Sequence, residues 1–215
     1  MDMKHSRIPR RLAAVLLICG MLLSLAACGD GLVRLQYEDD RFVNRAEGLS
    51  YIAAPVSYEP VAVGEPYAYY KASDMTLYTL GGSDPTLWLT TENLGELTTV
   101  FHRDTITLPT LASFGADVIH VCESEYYTFE VLRIEDAALV ESTAALFASG
   151  AEAVLPQGAP LLHYDLKFAS ADWPEIYINL NYYEYESGNY LYNRGTKRCV
   201  EIGDLLEEVL HGGES

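Results

Sequence analysis

Between Leu162 and Phe168 apolar and polar residues alternate without a break: Leu162, Tyr164, Leu166 and Phe168 against His163, Asp165 and Lys167. A helix would spread those four apolar side chains around its circumference. An extended strand places them on one side, facing a core, with the polar set on the other. The same period governs Glu175–Tyr185, where Ile176, Ile178, Leu180 and Tyr182 share a face. Gly188-Asn189 then turns the chain into Tyr190–Tyr192, and Lys197–Ile202 follows. This order predicts an antiparallel meander of about four strands.

Shorter β-prone runs precede it at Tyr67–Lys71, Met75–Leu80, Thr86–Thr90, Leu97–His102, Val118–Glu123 and Tyr127–Arg133. Gly81-Gly82-Ser83-Asp84-Pro85 marks a turn between two of them. Two segments carry helical spacing instead. In the first, about 136–149, Asp136 is placed to cap the N-terminus, Leu139, Thr143, Leu146 and Phe147 share a face, and Gly150 ends the run. In the second, about 204–211, Asp204 and Glu207 make a capping-box-like start to the apolar face Leu205, Leu206, Val209 and Leu210. The expected fold is α+β, mainly antiparallel sheet with a mid-chain and a C-terminal helix.

The N-terminus follows another logic. Lys4, Arg7, Arg10 and Arg11 precede an uncharged run, Leu12–Ala27, and polarity returns at Cys28-Gly29-Asp30. As a helix this run reaches about 24 Å, short of a hydrocarbon core of roughly 30 Å. A cationic flank, an apolar stretch and small residues at its end are the layout of a secretory signal. Leu25-Ala26-Ala27-Cys28 resembles the lipobox of bacterial lipoprotein precursors. Cys19, inside the apolar run, lacks the small residues before it. The resemblance covers residues 1–28 only. It implies removal of 1–27, a diacylglyceryl group on Cys28, and a protein held by its lipid on the extracytoplasmic face of a cell membrane. A short polar tether over 28–48 and a single α+β domain over 49–215 are expected to follow.

Cleavage there leaves 10 basic and 30 acidic residues, a charge of −20. Such a charge argues against nucleic acid as a partner and against lying flat on an anionic leaflet. Cys122 and Cys199 are the other cysteines of the mature chain. Outside the cytoplasm they either form a disulfide or remain two buried thiols in strand-like runs.

The richest candidate site is aromatic. Six of the sixteen tyrosines fall between Tyr177 and Tyr192. Opposite the isoleucines of Glu175–Tyr185 the face reads Tyr177, Asn179, Asn181, Tyr183 and Tyr185, flat rings beside amides that both donate and accept. Sugar rings and extended peptides are bound by such surfaces, and so the residues are expected to contact an envelope ligand or protein partner.

Other constellations are sparser. His120 and Cys122 point the same way on one strand, and His163 would complete a three-ligand zinc set. Glu123/Glu125 and Glu184/Glu186 are carboxylate pairs at a spacing that suits glycoside hydrolysis. Ser170, Asp172 and His163 lack an oxyanion-loop signature. Phosphate loops, dinucleotide fingerprints and EF-hand spacing are absent, so neither cofactor nor resident metal is expected. The leading expectation is a non-enzymatic binding protein. The rivals are an envelope hydrolase using carboxylates or His163, and a structural accessory subunit of an envelope complex.

Overall fold

The computed structural model describes residues 31–92, 98–124 and 128–212. The signal segment 1–27 and Cys28 lie outside the described residues, as do Glu125, Tyr127 and Leu97. Val33–Ser215 fall in one compact unit, mainly β, whose described residues make two sheets and two α-helices.

The first sheet has the order β1-β6-β7-β8-β9-β4-β3-β2. Its strands are β1 (Val33–Arg34), β2 (Gln36–Glu38), β3 (Arg41–Asn44), β4 (Leu49–Ala53), β6 (Val63–Tyr70), β7 (Met75–Leu80), β8 (Trp88–Thr91) and β9 (Val100–Arg103). All neighbours are antiparallel except β1 and β6. The two ends of this order, β1 and β2, are separated by the single residue Leu35. The sheet therefore curls until its edges approach, as a barrel does. Leu35, Phe42, Leu49, Tyr51, Ala68, Leu77, Leu89 and Phe101 fill the inside of the curl.

The polar stretch read as a tether over 28–48 is thus sheet from Val33 onward. Its Glu38-Asp39-Asp40-Arg41 run is a hairpin: Glu38 pairs with Arg41, and both aspartates take positive φ, 49° and 61°. Two left-handed residues in a two-residue loop match the right-handed twist of the strands. Aspartate tolerates that region better than most residues, which is why the turn forms without glycine.

The second sheet has the order β11-β10-β12-β13-β14-β15, with β5 (Tyr58–Pro60) sharing one side of β13. The others are β10 (Val118–Ser124), β11 (Thr128–Ile134), β12 (Leu162–Ala169), β13 (Ile176–Tyr185), β14 (Gly188–Tyr192) and β15 (Cys199–Glu201). All pairs are antiparallel. The predicted meander is present, in register Leu166↔Leu180 and Tyr182↔Leu191. Its turn is Glu186-Ser187, with Gly188 and Asn189 already paired to β13.

Helix α1 (Ala137–Ser149) lies on the apolar face and buries Val140, Thr143 and Phe147, with Leu139 and Leu146 partly covered. Asp136 caps it, its carboxylate accepting from the Ala138 and Leu139 amides. The C-terminal helix α2 is shorter than expected, Glu207–His211, and the Asp204 side-chain cap is not made. Leu80, Trp88 and Val100 of the first sheet join Leu166, Phe168, Ile178 and Leu180 of the second in one core. Trp88 and Trp173 meet edge to face there, ring centres 6.3 Å apart.

Candidate functional site

The face of the second sheet opposite α1 is the polar one, and register assembles it row by row. One row runs His163, Tyr183, Tyr190 across β12, β13 and β14. The next runs Cys122, Asp165, Asn181, Tyr192, Cys199. A third runs His120, Lys167, Asn179. The five predicted contact residues therefore do share a face, yet they do different things.

Tyr183 and Tyr185 belong to an aromatic cluster. Tyr183 stacks on His163 with ring centres 4.6 Å apart and planes 9° apart. Tyr185 and Tyr192 lie 6.3 Å and 6.4 Å from it, and Tyr190 meets Tyr185 edge to face at 6.0 Å. Beside the stack sits a buried carboxylate. The Asn181 amide donates a short hydrogen bond to Asp165 Oδ1 and a second, at 3.3 Å, to His163 Nε2. Arg194 and His163 approach the same Asp165 oxygen only to 3.8 Å each. At 6% exposed, the Asp165 carboxylate is part of the floor with Asn181. Burial lowers the pKa of His163, and Arg194 adds to that against the pull of Asp165. The ring is therefore neutral near pH 7, and its Nε2 accepts. Burial likewise pushes the Tyr183 hydroxyl up, keeping it a donor.

Asn179 and Asn181 are the correction to the predicted face. They are 9% and 2% exposed, so they brace the floor and offer nothing to a ligand outside. Asn179 donates to Glu59 Oε1 on β5 at 2.5 Å, and the other Glu59 oxygen pairs with Lys167 Nζ at 2.7 Å. Burial of Lys167 works against its charge, but the charge and hydrogen bond of Glu59 outweigh it and the net pKa shift is upward. Asn179 Oδ1 has no hydrogen-bond partner among the described residues.

Tyr177 stands apart at the other end, against His120 with ring centres at 5.4 Å. Both line a cavity of about 350 Å³ with Glu59, Cys122, Glu130 and Lys167, walled by Val61 and Val63. Glu130 accepts from His120 Nδ1 at 2.6 Å and from Arg133 Nε at 3.1 Å. Arg133 first and His120 second hold its carboxyl below the usual range.

The remaining candidates disperse. Cys122 and Cys199 occupy the two ends of one row, four strand spacings apart, about 19 Å. That exceeds the reach of a disulfide, and both are free and buried. Burial raises the pKa of both thiols, which argues against an activated nucleophile. His120 pairs with Lys167, four residues from His163, so the zinc set is spread over about 14 Å. Among the described residues no group of three metal-ligating side chains converges. Ser170 follows the far end of β12 from His163, roughly 20 Å away, and accepts from the Asp172 amide. Glu184 bonds His211 at 2.8 Å, and Glu186 lies exposed in the hairpin turn.

Sequence reasoning missed Glu59, Glu130 and Arg194 altogether. Each reaches the face from an edge strand or a loop, where no alternation points to it. What fold and face define is a two-sheet β protein with a braced polar floor between an aromatic cluster and a cavity. No family model, curated protein or solved structure matches this chain.

Proposed function

We propose that this chain is a lipid-anchored, extracytoplasmic binding protein that holds an envelope glycan on the polar face of its second sheet, without catalysing a reaction. The observation that carries the reading is the cluster of His163, Tyr185 and Tyr192 around Tyr183, with Arg194 beside it. Aromatic rings pack against the C–H face of a sugar. The half-exposed guanidinium of Arg194 at its edge donates to hydroxyls. Anchoring rests on the lipobox, and the acidic body favours standing off an anionic leaflet.

The test is thermal unfolding of the full chain in detergent against cell-wall glycan fragments, simple sugars, peptides, Ca²⁺ and Zn²⁺. A glycan at a hundred times its dissociation constant adds about 2.7 kcal/mol, visible as a raised midpoint. Tyr183→Ala is expected to remove that shift. A panel without a glycan response, or a response indifferent to Tyr183→Ala, refutes the reading.

A further inference from the structure

The edges of the two sheets are unequal. β1 and β2 are two and three residues long and curl toward one another through Leu35. β15 has three residues and is already bridged, Glu152 to Val200, with the Ala153 amide donating to the Cys199 carbonyl at 2.9 Å. β11 is different: seven residues long, paired with β10 on one side and last in the sheet order. Five of its first six residues are exposed, Phe129 to 53% and Val131 to 42%. Proteins usually shorten, cover or close such an edge, because its free N–H and C=O groups template another strand. Among the described residues β11 is the longest of the strands that end a sheet order.

A second observation concerns what lies beside that edge. Thr128 and Glu130, on the polar face of β11, line the cavity of about 350 Å³, with Val61 and Val63 opposite. Strand addition needs both features, an edge for main-chain pairing and a recess for alternate side chains. Charge then selects the occupant. Glu59 and Glu130 face the recess, exposed Glu135 follows the strand and Glu123 sits beside it on β10, against Lys167 and Arg133, so the surroundings are net acidic, as is the whole chain at −17. The same charge repels a second copy.

We infer that β11 is a docking edge for an extended peptide of alternating basic and apolar residues, added to the sheet as a further strand. Its basic side chains enter the recess beside Glu130 and its apolar ones cover Phe129. This site is separate from the aromatic cluster.

The probe is a fluorescent seven-residue peptide of alternating lysine and valine, matched to β11 in length. It is titrated by anisotropy against the full chain in non-ionic detergent. Saturable binding is expected. N-methylation of alternate peptide amides removes several main-chain bonds and should weaken it about a hundredfold. Phe129→Ala and Glu130→Gln should each weaken it about threefold. Phe129 is more than half exposed, so that variant tests the surface without threatening the fold. The proposal is overturned by equal binding of the N-methylated peptide, which would mean charge attraction alone. Equal binding of a glutamate–valine peptide, or no saturable binding, overturns it as well. So does concentration-dependent self-association of the chain that Phe129→Ala abolishes, since the edge would then serve a second copy. Glycan binding lost by Tyr183→Ala leaves all these outcomes untouched, so the two sites fail independently.

Discussion

Replacing Lys167 by methionine is the sharpest probe of the polar floor. Lys167 and Glu59 are 17% and 22% exposed at their side chains and 2.7 Å apart. The methionine fills the volume of the lysine stem but leaves the Glu59 carboxylate, among the described residues, with the Asn179 amide alone. Removing one partner of a fully buried pair costs about 3–5 kcal/mol. The residual exposure admits water, so about 2–3 kcal/mol is expected. For a domain of this size that lowers the melting midpoint by about 4–12 °C. Changing Glu59→Gln as well keeps the Asn179 contact and removes the stranded charge. The double variant should therefore be more stable than Lys167→Met alone, by about 1–2 kcal/mol. Urea unfolding followed by tryptophan fluorescence reads this directly, because Trp88 and Trp173 touch inside the core. If the two losses simply add, the pair is a solvated surface contact and the braced-floor account is wrong.

Three further outcomes follow from other parts of the molecule. Arg198 donates to the carbonyls of Phe147 at 3.0 Å and Gly150 at 2.6 Å, closing the C-terminus of α1; Arg198→Met should cost about 1–2 kcal/mol with an unchanged urea slope. Burial lowers the pKa of both His102 and His163 below 6.5. The unfolded chain therefore takes up those protons first, and stability should fall as pH drops through 6.5 toward the folded values. Calorimetry across that window checks it, with His102→Gln plus His163→Gln flattening the profile. Reductant should leave the melting midpoint unchanged, and thiol titration should find Cys122 and Cys199 free but reacting only after denaturation.

The period of two in β12 and β13 made the meander legible, because one buried face forces strict alternation. Met75–Leu80 was read with its observed bounds, and α1 was visible from Asp136, its apolar spacing and Gly150. Val33–Asn44 was not legible: three strands of two to four residues are too short to show a period, and Asp39-Asp40 lacks the usual glycine of a hairpin turn. β4 and β5 were also missed. Each is at most five residues long, and β5 contains Pro60, which disfavours a strand reading. The start of α2 misled because an Asp-x-x-Glu spacing describes a cap only when the intervening residues are helical, and here 203–206 is a turn.

Alternation says which side of a strand a residue faces and nothing about what lies above it. Asn179 and Asn181 looked like ligand contacts because the strand that hides Asn179 comes from Glu59, 120 positions earlier in the chain. β5 pairs with Ile176–Ile178 within the sheet, and its Glu59 side chain reaches Asn179 and Lys167, so the middle of the face closes and its ends remain. Tyr183 is left with the aromatic cluster, while Tyr177 is left at the cavity beside β11. A single continuous site would respond to both tyrosines. Two sites divided by a braced floor would not: Tyr177→Ala should weaken the lysine–valine peptide and leave any glycan response intact, and Tyr183→Ala should do the reverse. Loss of both activities in either variant, with an unchanged melting midpoint, would mean that the floor couples the two ends instead of separating them.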